Sequence, residues 1–180
     1  MWSFVLRRMA EGAIGTAVLS LCLAYGQNTV SSSTHPLYRN RAFDFDVAVP
    51  PGVIYTRTLP PNPDHGLGIT LKNRTKLWVD ASYTDSSSTE QEAEKQIAGC
   101  RVEDKRPTTL GRMPAVLMRF SCAATPYDAA YSEELVLSVY QSQNRSPVCY
   151  QVGVRKDGGG TTSQEDDLFK KLVAGFSVPK

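Results

Sequence analysis

The chain has the length of one independently folding domain and almost no net charge. Its 180 residues include 20 lysines and arginines against 18 aspartates and glutamates, for a formal net charge of +2 at pH 7. This length predicts a single domain, and the balanced charge argues against a protein that binds nucleic acid or anionic membranes through a basic surface. We therefore expect a protein or small-ligand partner, and no nucleic acid.

Residues 1–26 have the three parts of a secretory signal peptide in the usual order. Two arginines give a positive n-region, residues 13–24 form an apolar run, and Ala24 and Gly26 place small side chains at positions −3 and −1 of a cut. The apolar run is too short to cross a bilayer of about 30 Å as a helix. The sequence predicts cleavage after Gly26, a secreted or periplasmic protein, and no membrane span after cleavage.

The first half of the domain is predicted to be mostly strand. Residues 27–40 are polar and rich in serine and threonine, which is typical of a flexible segment before a folded domain at 41–180. Alternation of apolar and polar residues, bounded by proline, glycine and polar turns, then indicates strands. These strands are predicted at residues 43–49, 67–71 and 77–83.

The second half mixes strands with two capped helices. Ser88 and Gln91 form a capping-box pattern before a short helix that ends at Gly99, and Thr162 and Glu165 form a second one before the closing helix. Between them, strands are predicted at residues 113–122, 134–141 and 148–155. The whole order predicts an α+β domain with a mainly antiparallel sheet and helices packed against it.

Five segments carry a resemblance over residues 42–178: FDFDVAVPPGV, LWVDASY, TLGRMPAVLMRFSC, the hairpin ELVLSVYQ…CYQVGVRK, and a last helix that ends in GFSV. In this order they resemble the PsbP-like fold, which is named for the extrinsic P protein of the oxygen-evolving complex. Secreted bacterial proteins of uncharacterised function share that fold. The resemblance implies an antiparallel sheet with helices packed against it and a role in binding. It implies no catalytic set, because shared fold is not shared function.

Three cysteines remain after the predicted cleavage, and an oxidising compartment favours one disulfide among them. Side-chain alternation places Cys122 on the apolar face of its strand, and Cys100 follows the first helix directly, near that face. Cys149 falls with the polar residues of its own strand, and we expect it on the opposite face of the sheet. The sequence predicts a Cys100–Cys122 disulfide, whereas one β-bulge would reverse the parity and favour Cys122–Cys149.

The sequence leaves two modifications open, lipidation of Cys22 and glycosylation of Asn73. A bacterial lipoprotein signal requires a small residue before its cysteine, but Leu21 precedes Cys22. Asn73 begins an Asn-Arg-Thr glycosylation sequon, which is meaningful only in a eukaryotic source.

Catalytic, metal and cofactor motifs are lacking in the sequence. His35 and His65 both lie in irregular segments, and no serine lies in a nucleophile-elbow pattern. We therefore expect no cofactor and no enzyme activity.

The candidate contact residues belong to two loops. Tyr127 and Tyr131 lie in a connection of small residues, where exposed tyrosines are typical of interfaces, although they can equally seal the edge of a core. A hairpin tip concentrates three basic residues that suit a phosphate or an acidic partner, although a solvated turn explains them as well. They are Lys72, Arg74 and Lys76.

These observations favour a non-enzymatic, exported binding or interaction domain. One alternative is an enzyme whose polar site assembles from dispersed residues, and another is a structural or accessory protein of the cell envelope. An enzyme requires a concave pocket with convergent polar groups. An interaction domain requires an exposed apolar or aromatic patch.

Overall fold

The computed structural model describes residues 29–31, 37–57, 64–126, 128–141, 145–158 and 162–178. Within them the chain forms eleven strands and two helices. In chain order these are β1 (Thr29–Ser31), β2 (Leu37–Asn40), β3 (Phe45–Ala48), β4 (Ile54–Arg57), β5 (Gly66–Thr70), β6 (Lys76–Tyr83), α1 (Thr89–Gln96), β7 (Arg101–Leu110), β8 (Met113–Cys122), β9 (Tyr131–Tyr140), β10 (Val148–Asp157), α2 (Ser163–Gly175) and β11 (Phe176–Ser177).

The strands form two antiparallel sheets. The larger sheet has the order β1-β4-β5-β6-β10-β9-β8-β7, and the smaller has the order β11-β3-β2. The smaller sheet and α2 pack on one face of the larger sheet, and α1 packs on the other. A mainly antiparallel α+β domain with helices packed against the sheet is therefore confirmed.

The main core lies between the larger sheet and the layer formed by α2 and the smaller sheet. Val79, Val136 and Val152 point into it from three neighbouring strands, because the register places them opposite one another. From the other side, Phe45 contacts the rings of Tyr150 and Phe176, with centroids 6.1 and 5.4 Å apart. Aromatic contacts of this kind join the two sheets.

A second core lies under α1 on the opposite face of the sheet. Ala93 and Ile97 of α1 pack with residues of β8 and β9 such as Met118 and Leu135. Both faces of β9 are therefore covered, which is why its centre is a continuous apolar run rather than an alternating one. Both helices form with the predicted N-caps, Ser88 and Thr162, and the capping box of α2 is complete. At α1 the Ser88 side chain accepts the backbone N–H of Gln91, but the Gln91 side chain accepts from the backbone of Ser87 instead of Ser88.

The end of the predicted flexible segment is part of the fold. Within residues 27–40, Leu37–Asn40 form β2 and pair with β3, and Thr29–Ser31 pair with β4. Tyr38 and Asn40 are buried, and the Asn40 carboxamide accepts two backbone N–H groups and donates to a backbone carbonyl. The polar composition conceals the strand because one of its two inward residues is a hydrogen-bonded asparagine. The predicted leader lies outside the described residues.

Strand β7 is absent from the sequence prediction. Within the part of the chain that the structure describes, it is an edge strand paired with β8, and it is exposed along most of its length. Such a strand needs no apolar alternation, and an edge tolerates Pro107 because one side of its backbone has no strand to pair with. A two-residue turn connects it to β8, with φ of 54° at Gly111 and 76° at Arg112.

The cysteines share one face of the larger sheet. Cys100 and Cys122 lie at disulfide distance, with Cα atoms 4.5 Å apart, and Cys149 is a buried free thiol. The prediction that Cys149 lies on the opposite face is wrong, since Cys149 packs in the same core as the other two. Cys122 is instead far from Cys149 along the strand direction. Cys122 pairs with Tyr131 of β9, and Tyr131 pairs with Asp157 of β10. Asp157 is eight residues from Cys149 in the same strand, which is roughly 26 Å at about 3.3 Å per residue.

Candidate functional site

A groove of about 980 Å³ lies between α2 and the outer strands β7, β8 and β9. It exists because a helix about 10 Å wide covers only about two strands spaced at about 4.8 Å. Helix α2 packs against β10 of the larger sheet and β3 of the smaller sheet, so the outermost strands β7 and β8 extend beyond it on this face. The floor and walls are apolar, formed by Met113, Leu117, Val136, Phe169, Val173 and Phe176.

The rim of this groove is strongly cationic. Among the described residues, four basic side chains line it, and Glu134 is the one carboxylate beside them. We call the site the basic groove, defined by its apolar floor and by Arg106, Arg112, Arg119 and Lys170.

Two of the four cations have carboxylate partners. Arg119 lies 3.0 Å from Glu134, and this hydrogen-bonded ion pair raises the pKa of Arg119. Arg106 lies 3.5 Å from Asp104. Within the described residues, Arg112 and Lys170 form no ion pair. Their charges are therefore available to a ligand.

Arg112 occupies an unusual backbone position at one end of the basic groove. It holds the left-handed φ of the two-residue turn, a position where glycine is the usual residue. The preceding Gly111 lies against the ring of Phe176, where a Cβ would approach a ring carbon to 2.9 Å. The turn is thus fixed against the groove wall, and its second residue is a cation.

An aromatic cavity of about 480 Å³ adjoins the basic groove and shares Tyr140 and Val178 with it. Tyr83 and Tyr140 both pair with Val148, so their side chains form a row across three strands on the same face. The two tyrosines are 64% and 48% exposed. The apolar surface therefore continues beyond the groove.

Comparison with known proteins identifies no family. No family model and no curated protein matches the chain. Among solved structures, the chain is similar to LpqN of Mycobacterium tuberculosis, which is described as involved in cell envelope biogenesis. The TM-score is 0.42 and the identity 15%, over 84% of this chain and 90% of that one. Membership of the PsbP-like fold stays a prediction.

The basic hairpin tip lies outside the basic groove. Lys72, Arg74 and Lys76 are exposed, and none of them lines the groove. The turn between them is anchored instead, because Asn73 and Thr75 donate hydrogen bonds to Glu165 of α2. The amide of the Asn73 sequon is therefore engaged within the fold.

The tyrosine loop is only partly described. Tyr127 lies outside the described residues. Tyr131 is half-buried, packs against the core under α1, and lies over the Arg155 guanidinium, 3.5 Å from the ring centroid. These contacts favour the alternative in which Tyr131 seals the core edge.

Of the two histidines, His65 is held by its Nδ1, 2.8 Å from the Ala81 carbonyl oxygen, and His35 lies outside the described residues.

A second polar cluster lies on the opposite face, at the β9–β10 end. Burial raises the pKa of Glu133 to about 7, although the nearby Arg155 opposes the shift. Arg155 also pairs with Asp128 at 3.3 Å.

Within the described parts of the chain, no three His, Cys, Asp or Glu side chains converge as metal ligands. No helix there is long and apolar enough to cross a membrane.

The residues of the basic groove are absent from the sequence predictions. Arg112 lies in a turn, Arg106 in an edge strand without alternation, and Lys170 on the polar side of a helix. Each reads as ordinary surface charge in its own segment. A weak signal is the arginine at a turn position that favours glycine, but it is visible only once β7 is recognised as a strand.

Proposed function

We propose that this protein is a non-enzymatic binding domain that acts outside the cytoplasm, and that its ligand or partner lies in the basic groove. One observation carries the proposal: an apolar floor is flanked by two cations, Arg112 and Lys170, without ion-pair partners among the described residues. Ligand sites in proteins are concave and mostly apolar, with a few charged groups that orient the ligand.

The chemistry of the lining favours binding over acid–base catalysis. Arginine stays protonated at every physiological pH and does not exchange protons with a substrate. Glu134 is held by Arg119 in an ion pair at 3.0 Å. Histidine and cysteine, the usual bases and nucleophiles, are not among the described residues that line the groove.

The extracytoplasmic location is supported by the leader pattern at residues 1–26 and by the disulfide distance between Cys100 and Cys122. Mass spectrometry of the exported protein tests it. We expect an N-terminus at Gln27, and a secreted chain that still begins at Met1 would contradict the leader.

The groove is tested with a fluorescent anionic dye, anilinonaphthalene sulfonate, on the folded protein. Ala174 lines the groove and is exposed, so Ala174→Trp fills the groove without disturbing the core. We expect this variant to lose dye binding. Ala98→Trp is the matched control, because Ala98 is an exposed alanine just after α1, on the other side of the sheet. Equal dye binding by both variants would contradict the proposal.

An enzyme with a dispersed polar site is the second candidate, and Glu133 is the observation in its favour. A carboxyl group with a pKa of about 7 suits proton transfer at neutral pH. Turnover of a hydrolase substrate that is lost in Glu133→Gln and kept in the exposed control Glu90→Gln would favour this candidate.

A further inference from the structure

We infer that the ligand of the basic groove is a long-chain carboxylate, an amphiphile with one apolar chain and one anionic head group. The chain would lie along the apolar floor, and Arg112 and Lys170 would bind the head group. The inference rests on the proposed function and adds the chemistry of the ligand.

The shape and composition of the floor favour an apolar chain. Sheet residues such as Leu117 and Val136 form one wall, and Phe169 and Val173 of α2 form the other, so both walls of the groove are apolar. Its volume of about 980 Å³ is at the upper end of the range for single small ligands, about 300–1,000 Å³. This size suits one acyl chain.

The strand register gives the chain a direction. The aromatic cavity joins the basic groove at Tyr140 and Val178. Because Val116 pairs with Leu137, Tyr140 lies at the same end of the sheet as the β7–β8 turn that holds Arg112. Tyr83 and Tyr140 offer exposed apolar rings there. Leu117 and Val136 pair further along the same strands, so we place the head group at the turn and the chain along the floor that these two residues form.

The charges of the groove favour an anionic head group. Arg106 and Arg119 already have carboxylate partners, whereas Arg112 and Lys170 form no ion pair within the described residues. A guanidinium binds a carboxylate through two parallel hydrogen bonds, and an ammonium adds a point charge. Binding a carboxylate would give both cations a partner.

The helix dipole favours a monoanion over a phosphate dianion. The basic groove is lined by the C-terminal half of α2, from Phe169 to Ala174. That end of a helix carries partial negative charge, which repels an anion in proportion to its charge. A phosphate monoester carries about −1.5 to −2 charges at pH 7. A carboxylate, with a single charge, suffers less repulsion.

The test uses calorimetric titration of the purified protein with three ligands that share a twelve-carbon chain: laurate, dodecyl phosphate and dodecanol. We expect laurate to bind most tightly and dodecanol at least tenfold more weakly, since dodecanol offers no charge-assisted hydrogen bond. Shorter carboxylates should bind about fourfold more weakly for each methylene removed. Laurate affinity should also fall as salt is added.

The variant that removes both cations is Arg112→Asn with Lys170→Gln. Asparagine tolerates the positive φ of this turn, and both side chains are exposed, so the fold is retained. We expect laurate to bind at least tenfold more weakly and dodecanol to bind as before. The matched control, Arg101→Gln with Lys171→Gln, removes two exposed cations outside the groove and should change neither.

Four results would overturn the inference. Equal binding of laurate and dodecanol would mean that charge is not recognised, and tighter binding of dodecyl phosphate would make the ligand a phosphate. Absence of binding by all three would remove this ligand class. In these three cases the proposed function survives if Ala174→Trp still blocks the dye. A ligand-free dimer in sedimentation that Ala174→Trp dissociates would assign the groove to a second copy of the chain.

Discussion

Glu165 connects the first turn of α2 to the turn between β5 and β6, and its neutralisation should destabilise the protein. The carboxylate is 2% exposed. It accepts hydrogen bonds from the side chains of Asn73 and Thr75 and from the backbone N–H of Thr162, and it lies 3.6 Å from the ammonium of Lys156. Glu165→Gln keeps the size of the side chain and removes its charge.

The magnitude follows from the pKa of this carboxyl group. Burial raises the pKa, but hydrogen bonds from Thr75, Thr162 and Asn73 outweigh burial and lower it from 4.5 to about 2. A shift of this size corresponds to about 3 kcal/mol of stabilisation at neutral pH. Because the pKa is lower in the folded state, this stabilisation is complete above pH 4.5 and is lost as the pH falls through about 2.

Denaturant unfolding of wild type and Glu165→Gln between pH 7 and pH 2 measures this effect. We expect a free-energy difference of about 3 kcal/mol at pH 7 that narrows below about pH 4. The control Asp167→Asn changes an exposed carboxylate in the same part of α2 and should cost less than about 1 kcal/mol. A difference that is equally large at pH 2 and pH 7 would show that the ionised carboxylate is not the source of the stabilisation.

Two further predictions concern the larger sheet. Non-reducing peptide mapping should recover a peptide that joins Cys100 to Cys122, and a disulfide-linked peptide that contains Cys149 would contradict the pairing. Because the closed loop spans 22 residues, reduction of the disulfide should lower the free energy of unfolding by roughly 3 kcal/mol. Gly153→Ala should cost about 1–3 kcal/mol and shift tryptophan emission, because a Cβ there would lie 2.2 Å from the indole of Trp78. Gly68→Ala is its control, because that Cβ meets only the Thr56 hydroxyl at 3.6 Å, and equal costs would contradict the clash.

Local sequence patterns predict the helices and strands whose signal lies within one segment of the chain. Strand β8 occupies residues 113–122 as its alternation predicts, and the Thr162–Glu165 capping box begins α2. Side-chain alternation within one strand and hydrogen bonds within one helix turn involve neighbours in the chain, so the pattern is complete inside each segment.

The elements missed by sequence are those whose signal depends on their neighbours. Strand β7 lies at an edge and needs no buried face, and β2 is stabilised through a buried asparagine that reads as polar coil. For Cys149 the predicted side-chain alternation within β10 is correct, but the prediction that its side chain faces away from that of Cys122 in β8 is wrong. Register across β9 decides that relation, and no single strand contains it.

The basic groove depended entirely on the tertiary structure. Arg112, Arg119 and Lys170 come from a turn, a strand and a helix that are separated in the chain. They converge because β7, β8 and β9 pair in order while α2 packs against β10 and β3 and does not extend over β7 and β8. Local sequence encodes each element and its apolar face. The groove forms because a helix is narrower than the sheet on which it packs, and the position of the helix on the sheet is decided by tertiary packing.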